Sequence, residues 1–488
     1  MAFIDGTALN VILPSLQREL NATGAELFWV LNSYLLMLAA LIILGGSLGD
    51  KRGRVRIFKL GILLFVLSSA ACGLVATIDQ LILFRGIQGI GGALMIPGSL
   101  SIISAVFSKE EKGKAIGTWS SITTIVTICG PVLGGALADY GWWRAIFFLN
   151  IPIGLFALYG LHYKVPESKE PDGDKIDWLG ALLLTLSLGA LTFGLLEMPE
   201  FGYQHPAVWL GLLLGTILLA LFMLHERKTK EPMVPLILFK NRTFSAVNLQ
   251  SFFLYAGLGG MMLFLSLNLI QIQGYSQLQA GLTFMPFSVL MVIAGRKMGA
   301  LTDKYGARRF LILGPMLTGI GMLWLSTVGI TSGPAAYWTT YFPPFILFAG
   351  GMAITVVPLT TAVMGSVSDE KSGIASGINN SVTRISGTFI NAILGAAAIF
   401  IFSGFVETQL TTIDLLPDQI ELVLNNTSQL GEAQAPAQLS KSNQMEVEAI
   451  FDDGFIHVYK MVGVFCGILA IVASMIGMAL PMGIKKSA

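Results

Sequence analysis

Two arginines lie inside long apolar segments of this chain. Arg85 stands in LILFRGIQGI with Gln88 one turn away, and Arg384 stands in a later apolar segment. At the centre of a membrane helix a charge costs about 2.5 to 3.5 kcal/mol on insertion scales, so it requires a polar cavity or a partner. Such residues are suited to binding charged or polar groups within a membrane. For Arg85 the alternative interpretation is a side chain that extends to the nearby membrane interface.

Arg384 belongs to a polar face of one predicted helix. Spacings of four, three and four residues place Asn380, Arg384, Gly387 and Asn391 on the same side. We expect this face to border a central cavity, although bonds from Arg384 to carbonyl groups of neighbouring helices are nearly as good an interpretation. Further cavity candidates, of which the aromatic ones more often pack or anchor, are Asn32, Tyr34, Gln88, Trp119, Tyr255, Asn268 and Gln271.

A sixteen-residue segment occurs twice. GSLGDKRGRVRIFKLG at 46–61 recurs as GALTDKYGARRFLILG at 299–314, and half of the aligned positions are identical. Each copy lies between two long apolar segments, which is typical of a duplicated membrane unit with a charged hairpin in each half. Duplicated membrane bundles are usually transporters.

Composition indicates an integral membrane protein. Of the 488 residues, 54% are hydrophobic and 12% are charged, against roughly 25% charged in soluble proteins. The net charge of +1 lacks the basic excess that a nucleic-acid partner requires. The three cysteines lie in apolar segments without disulfide or metal-ligand spacing.

Apolar stretches of about twenty residues predict fourteen membrane helices. They lie near 1–17, 27–48, 57–77, 80–106, 113–138, 144–163, 177–197, 206–225, 243–268, 278–300, 309–329, 338–364, 373–402 and 456–482. The prediction is therefore an all-α protein with two six-helix bundles, at 1–163 and 243–488. Residues 164–242 supply cytoplasmic linkers and two accessory helices. Since no basic leader or cleavage site precedes the first segment, we expect no cleavable signal peptide.

The distribution of charge predicts the orientation. Placing both hairpins in the cytoplasm puts almost all lysine and arginine inside, as the positive-inside rule requires. The loop at about 403–455 then lies outside, with nine acidic residues against the single Lys441. We expect a multi-pass protein of the cell (inner, cytoplasmic) membrane with both termini in the cytoplasm.

Five motifs carry a family resemblance. They are IDGTALNVILPSL at 4–16, the hairpin at 46–56, RGIQGIGGA at 85–93, CGPVLGG at 129–135 and WWRAIFFLNIPIG at 142–154. In this order, and over the whole chain, they resemble the major facilitator superfamily and within it the fourteen-helix drug:proton antiporter family. The resemblance implies the major-facilitator fold.

The resemblance also implies a proton-coupling site at Asp5 with Arg85 beside it. Glu197, near the outer end of the seventh span, is a weaker candidate. Only about 16 residues, or roughly 24 Å of helix, lie before the end of the first span, which is short of the bilayer core. Either the chain start is misplaced and Asp5 lies near mid-membrane, or the helix is short and Asp5 interacts with its N-terminus.

Two motifs resemble moving parts of the family. The hairpin resembles a conformational latch, whose alternative is a plain topogenic loop; its residues are Gly46, Asp50, Arg52, Gly53, Arg54, Asp303, Gly306 and Arg309. CGPVLGG resembles a hinge associated with export, whose alternative is plain helix packing; its residues are Gly117, Gly130, Pro131, Gly134 and Gly135. Val126 replaces a usual glycine there, which weakens the inference of efflux.

The sequence contains no motif that is typical of an enzyme or of a cofactor site. There is no GxxxxGK[ST] loop, GIQGIGGAL is not a dinucleotide fingerprint, and the four histidines lack metal-ligand spacing. We predict no enzyme, no metal site and no cofactor, with the proton-motive force as the energy source.

The sequence therefore predicts a secondary transporter that exports lipophilic small molecules in exchange for protons. Its predicted partners are substrate, protons and membrane lipid, and nucleic acid is not among them. The sequence leaves open whether a periplasmic adaptor takes part. Because Asp5 is the only deeply placed acid, we expect neutral or monovalent substrates. The alternatives are proton-coupled transport of a specific metabolite and a non-transporting receptor or scaffold on the same fold.

Overall fold

The computed structural model describes residues 1–107, 109–168, 176–367 and 372–481. All regular structure in these residues is helical. The first half contains α1 (Ala2–Leu20), α2 (Gly24–Arg52), α3 (Arg54–Leu74), α4 (Ile78–Val106), α5 (Lys109–Asp139), α6 (Ala145–Phe148) and α7 (Asn150–Lys164). Local sequence explains the boundaries: Thr23 and Glu26 form a capping box that starts α2, and Gly53, with φ of 111°, separates α2 from α3.

The accessory helices follow as α8 (Trp178–Leu196), the short α9 (Met198–Phe201) and α10 (Pro206–Lys228). Asp177 caps α8 by accepting from the Gly180 N–H group at 2.8 Å, and it also bonds His225 of α10 at 2.8 Å. The Ser187 hydroxyl donates to the Gly215 carbonyl group at 2.9 Å. The two long accessory helices thus form a pair, which packs against α2.

The second half begins with a 3-10 turn (Leu236–Lys240). Its α-helices are α11 (Arg242–Leu267), α12 (Gln277–Thr283), α13 (Met285–Tyr305), α14 (Ala307–Leu325), α15 (Tyr337–Thr340), α16 (Phe342–Gly365), α17 (Ser372–Leu410), α18 (Pro417–Asn425) and α19 (Lys441–Met478). A π turn (Asn268–Ile272) extends α11, and Gly306, with φ of 81°, separates α13 from α14 as Gly53 separates α2 from α3.

Within the described residues, eleven helices are long and apolar enough to cross a membrane. The chain is therefore embedded in the membrane by many spans. The other three predicted spans correspond to α1, α5 and α14. Helices α1 and α5 contain many charged and polar residues, and the short α14 includes Arg308 and Arg309 in its first turn. The count of fourteen membrane helices stays a prediction.

The predicted outer loop at 403–455 contains helical structure. Helix α17 continues to Leu410 and α19 already begins at Lys441, so the connection is shorter and itself contains α18. Both helices extend beyond their apolar segments with polar, exposed turns, for example at Glu407 and Glu448. Hydropathy detects the apolar part of such a helix but not its solvated end.

The two halves meet along two seams that the duplication relates. Helix α2 packs against α17, and α5 packs against α12. We call the end of the molecule that carries Gly53 and Gly306 the hairpin end, and the opposite end the far end.

Candidate functional site

A buried ion pair joins α1 to α4. The Arg85 Nη1 atom donates to the Asp5 Oδ2 atom at 2.5 Å and to the Gln88 Oε1 atom at 2.7 Å, and the Gln88 Nε2 atom donates to the Asp5 Oδ1 atom at 3.1 Å. The Arg85 side chain is 1% exposed. The interpretation of Arg85 as an interfacial side chain is therefore wrong, because its charge is stabilised inside the helix bundle.

Helices α2 and α3 complete the surroundings of this cluster. The Arg85 guanidinium carbon lies 4.4 Å from the centre of the Tyr34 ring, a cation–π distance, and the Arg85 Nε atom lies 3.5 Å from the Val30 carbonyl oxygen. The Cys72 thiol of α3 donates to the Gln88 Oε1 atom at 3.9 Å. Four helices of the first half thus converge on one charge pair.

The glycines of RGIQGIGGA explain why α4 can approach its neighbours. A methyl group at Gly91 would lie 2.6 Å from the Phe65 nitrogen of α3, and one at Gly92 would lie 3.3 Å from the Tyr34 hydroxyl oxygen of α2. Side chains at these positions would push the three helices apart. The motif therefore positions Arg85 by close packing.

The second arginine adds positive charge near this cluster. Arg384 is half-buried and lies within electrostatic range of the Tyr34 and Tyr255 hydroxyl groups. The ion pairs of the described residues include Arg85 with Asp5 but none with Arg384. The central region thus holds two guanidinium groups and one carboxylate.

Two asparagines have buried amide atoms without a hydrogen-bond partner among the described residues. They are the Nδ2 and Oδ1 atoms of Asn32, which is fully buried on α2, and the Oδ1 atom of Asn391 on α17. On the face that carries Asn391, a methyl group at Gly387 would lie 3.9 Å from Leu35 and one at Gly395 would lie 2.8 Å from Phe28. Asn391 therefore faces α2 at the level of Asn32, and both amides can bond a polar ligand at this seam.

The other predicted cavity residues are more dispersed. Asn268 donates to the Tyr341 hydroxyl oxygen at 2.9 Å and accepts from Gln273 at 3.4 Å, so the structure does not bring it to the Arg85 cluster. Asn380 is exposed and donates to its own helix at the Ser376 carbonyl oxygen. Trp119 is half-buried.

Glu197 lies at the end of α8, away from this cluster. Its Oε1 atom accepts from the Trp29 Nε1 atom of α2 at 2.8 Å. Glu197 therefore links the accessory pair to the first half.

Gln271, another predicted cavity residue, bonds Gln17 at 3.2 Å at the far end.

The glycines of CGPVLGG lie at helix crossings of α5. A methyl group at Gly130 would lie 3.2 Å from the Ile4 carbonyl oxygen, and one at Gly134 would lie 2.9 Å from the Ala8 Cβ atom, both on α1. One at Gly135 would lie 2.8 Å from the Leu278 Cα atom on α12. Pro131 stands within α5 between these crossings. The surroundings of Gly117 lie outside the described residues.

The first hairpin contains an ion pair across its glycine. The Arg54 Nε atom donates to the Asp50 Oδ1 atom at 2.7 Å, on either side of Gly53. Gly46 lies near Pro97 of α4, where an added methyl group would be 3.7 Å from the Pro97 Cβ atom. Arg52 is exposed. In the second hairpin Arg309 is exposed, and the side chain of Asp303 lies outside the described residues.

Glu167 is a hairpin partner that the sequence prediction missed. Its Oε1 and Oε2 atoms accept from the Val55 and Arg56 N–H groups, each at 2.9 Å, and the Ser168 carbonyl oxygen accepts from the Arg54 N–H group at 2.9 Å. The available signal is that α3 begins after glycine without a capping side chain, so its first N–H groups need an external acceptor.

Polar contacts close the far end between the two halves. Asp139 of α5 accepts from Ser276 and from the N–H groups of Gln277 and Leu278, at 2.7, 2.7 and 3.0 Å. Further contacts there join Ser15 with Gln277 at 2.6 Å, Gln17 with Gln429 at 3.0 Å and Arg18 with Glu432 at 3.7 Å. Burial raises the pKa of the Glu432 carboxyl group above its ordinary value, although Arg18 and Gln271 lower it. In the described residues, these contacts lie on the side of the molecule opposite the hairpins.

Comparison with known proteins agrees with this architecture. A model of the Major Facilitator Superfamily matches residues 1–391. The chain is 33% identical over 422 residues to the “Multidrug resistance protein Stp” of Mycobacterium tuberculosis, covering 86% of this chain and 77% of that protein. It is 31% identical over 399 residues to the “Tetracenomycin C resistance and export protein” of Streptomyces glaucescens, covering 81% and 73%.

Among solved structures, the chain is similar to a bacterial homologue of the human lysosomal transporter Spinster in an inward-facing, unoccupied conformation. The TM-score is 0.62 with 18% sequence identity, over 98% of this chain and 95% of that chain. At this identity the likeness establishes the all-helical fold alone.

Proposed function

Because this chain belongs to the major facilitator superfamily, we propose that it is a secondary transporter that exports lipophilic small molecules in exchange for protons. In this proposal the transporter has fourteen membrane helices and lies in the cytoplasmic membrane. Its hairpins and both termini lie in the cytoplasm, which the distribution of lysine and arginine favours. The proton-motive force supplies the energy, and no cofactor takes part.

The buried Asp5–Arg85–Gln88 cluster is the observation that carries the proposal. A proton on Asp5 removes the carboxylate charge, so Arg85 loses its counter-ion and keeps the Tyr34 ring, the Val30 carbonyl group and Gln88. Breaking a buried ion pair changes the energy by several kcal/mol, about 3 to 5 when one partner is removed. Protonation at this position is therefore strong enough to shift a two-state equilibrium.

Helix packing supplies a route from the proton to the seam between the halves. Asp5 lies on α1, and Gly130 and Gly134 of α5 pack directly against α1. Gly135, on the same helix, packs against α12 of the second half. A change in the attraction between α1 and α4 thus acts on the helix that holds the far end closed through Asp139.

The closed far end favours loading of substrate from the hairpin end. Along one face of α17, Asn380 is exposed, Arg384 is half-buried and Asn391 is buried, so the polar face becomes less accessible with distance from that end. With the hairpins in the cytoplasm, substrate enters from the cytoplasm. Proton entry from outside and rocking of the two halves then complete an export cycle.

The charges and amides of the centre favour a particular substrate chemistry. Two arginines and one carboxylate leave an excess of positive charge, which disfavours a divalent cation. The free amide atoms of Asn32 and Asn391 suit carbonyl or hydroxyl groups on a largely apolar compound. We therefore propose neutral or monovalent substrates, and one relative is named as a tetracenomycin C resistance and export protein.

Drug accumulation in cells that lack their own efflux pumps tests this function. We expect the wild-type chain to lower the accumulation of a neutral lipophilic antibiotic or a monovalent lipophilic dye, and a protonophore to abolish the effect. Asp5→Asn and Arg85→Gln are expected to restore the accumulation of cells without the protein. Asp79→Asn, which removes an exposed acid of α4, is the matched control and retains export.

Three results would contradict the proposal. Export by Asp5→Asn that still collapses with the protonophore would place the coupling site elsewhere. A proton gradient that drives substrate inward would favour uptake of a metabolite. No flux of any tested compound, with the protein present in the membrane, would favour a receptor or scaffold.

A further inference from the structure

A groove opens at the hairpin end on the outside of the first half. It encloses about 660 Å³ and lies between α3 and α7, with Leu158 on the α7 side. On the α3 side, Arg56, Lys59, Leu60 and Leu63 share one face of the helix. The charged residues stand in the first turns and the leucines follow deeper along the span.

The basic part of the groove consists of Arg52, Arg56 and Lys59. Arg52 and Arg56 are exposed and Lys59 is half-buried, and none of them forms an ion pair among the described residues. Two acids at the hairpin, Asp50 and Glu167, are engaged elsewhere in the part of the chain that the structure describes. Asp50 bonds Arg54, and Glu167 accepts from the backbone N–H groups of Val55 and Arg56 at the start of α3.

The apolar part continues the groove along the membrane-spanning portion of α3. Leu60 is 51% exposed and Leu63 is 46% exposed, and Leu158 lines the same groove. Since α3 is one of the apolar helices long enough to cross a membrane, these leucines lie deeper in the bilayer than the three basic residues. The groove therefore changes from cationic to apolar along the direction that a lipid follows from headgroup to chain.

The second hairpin does not repeat this arrangement. In the aligned repeat, the positions of Arg52, Arg56 and Lys59 are occupied by Tyr305, Arg309 and Ile312. A merely topogenic loop needs basic residues somewhere in the hairpin, whereas a binding site needs them together on one surface. At these three positions the second hairpin therefore has one basic residue and the first hairpin has three, so the second hairpin serves as an internal control.

We propose that this groove binds one anionic phospholipid of the membrane leaflet at the hairpin end. Its phosphate group contacts Arg52, Arg56 and Lys59, and an acyl chain covers Leu60, Leu63 and Leu158. Charge complementarity selects an anionic headgroup, and the leucines select a lipid over a free anion, which would leave them uncovered. Binding of the lipid does not require that the protein exports drugs or that Asp5 is the proton site.

Native mass spectrometry of the purified protein in mild detergent tests the proposal. The probes are phosphatidylglycerol and phosphatidylcholine with identical acyl chains, with inorganic phosphate as a soluble competitor. We expect the wild type to retain phosphatidylglycerol in preference to phosphatidylcholine. Lys59→Gln should lower that preference about fivefold, the factor expected for one basic residue near an anionic surface.

Controls separate the groove from general effects of charge. Lys59→Arg should keep the preference, and Arg309→Gln, the same charge removal in the second hairpin, should leave it unchanged. Thermal unfolding without added lipid verifies that each variant is folded. Equal retention of both lipids by the wild type, an unchanged preference in Lys59→Gln, or an equal loss in Arg309→Gln would overturn the proposal. Displacement of phosphatidylglycerol by millimolar inorganic phosphate would indicate a site for free anions instead.

Discussion

Arg85 is the buried charge on which the site depends. Its guanidinium group has a carboxylate, an amide, a carbonyl group and an aromatic ring around it, which is how a protein stabilises a charge away from water. These partners come from α1, α2 and α4. Protonation of Asp5 would therefore change the contacts of Arg85 with all three helices.

A double-mutant cycle at Asp5 and Arg85 should reveal strong coupling. Asp5→Asn leaves the Arg85 charge uncompensated and Arg85→Gln leaves the Asp5 charge uncompensated, and each should destabilise the protein by about 3 to 5 kcal/mol. The double variant should lose clearly less than the sum of the two, because no charge remains unpaired. Thermal unfolding in detergent measures the three variants. Additive losses would show that the two side chains do not act as a pair.

The sequence predicted some residues of this site and missed others. Arg85 stands out because a charge in an apolar segment is rare. Its pairing with Asp5 came only from the family resemblance, since the two residues are 80 positions apart and no local pattern encodes the contact. Glu167 was missed for the same reason, because it caps a helix that starts more than 100 residues earlier.

Helix α5 contacts both halves of the molecule through glycines. Gly134 lies against Ala8 of α1, and Gly135 lies against the start of α12. Whether this helix bends at Gly130 and Pro131 during transport stays a prediction. Its close crossings add an indirect link from α1 to the second half, beside the direct contacts of α1 such as Ser15 with Gln277.

Gly134→Ala should disturb this crossing. The added Cβ atom would lie 2.9 Å from the Ala8 Cβ atom and 3.0 Å from the Ala8 carbonyl oxygen, so α1 and α5 must separate by a few tenths of an ångström. We expect a loss of about 1 to 3 kcal/mol, as for other overpacked sites, together with slower export. Thermal unfolding and drug accumulation measure the two effects.

Gly160→Ala of α7 is the matched control for this substitution. No atom lies within 4 Å of the added methyl group there, and alanine in a helix is favoured over glycine by about 0.5 to 1 kcal/mol. The control should therefore be neutral or stabilising. Equal behaviour of the two variants would show that the crossing at Gly134 tolerates a side chain.

At the scale of elements, the predicted spans correspond to helices because twenty apolar residues can hardly form anything else in a membrane. The ends of α17 and α19 were not predictable from hydropathy. Their outer turns are polar, and their exposed faces meet solvent, so the apolar signal ends before the helix does. The hairpins were predictable, because the repeated glycines mark breaks where φ is positive in both copies.

The whole molecule consists of two related halves that are joined at the far end. Asp139, Gln17 and Arg18 of the first half bond residues of the second half there. In the proposed export cycle these contacts break when the other side closes. The far end is therefore the part of the molecule where stability and conformational change are most directly linked.

Glu432 should make the stability of the closed far end depend on pH. Burial raises the pKa of its carboxyl group above the ordinary 4.5, so the folded protein binds more protons than the unfolded chain in the window above that value. The contribution of Glu432 is present below pH 4.5 and is lost as the pH rises through the raised pKa. As the pH rises through this pKa, the melting temperature of the wild type should fall relative to that of Glu432→Gln.

Glu421→Gln, an exposed glutamate on α18, is the control for this measurement. Its difference from the wild type should be nearly constant over the same pH range. A difference for Glu432→Gln that is independent of pH, or that grows in the opposite direction, would show that burial does not control this carboxyl group.

The exchange of substrate for protons is most directly measured in inverted membrane vesicles. Respiration acidifies their interior, and a fluorescent pH probe reports the gradient. Addition of a transported antibiotic should dissipate the gradient in vesicles with the wild type or Asp79→Asn, because each import of substrate into the inverted vesicle releases protons. Vesicles with Asp5→Asn should show no response. Substrate movement without proton release, or an undiminished response from Asp5→Asn, would contradict proton-coupled export through the Asp5–Arg85 pair.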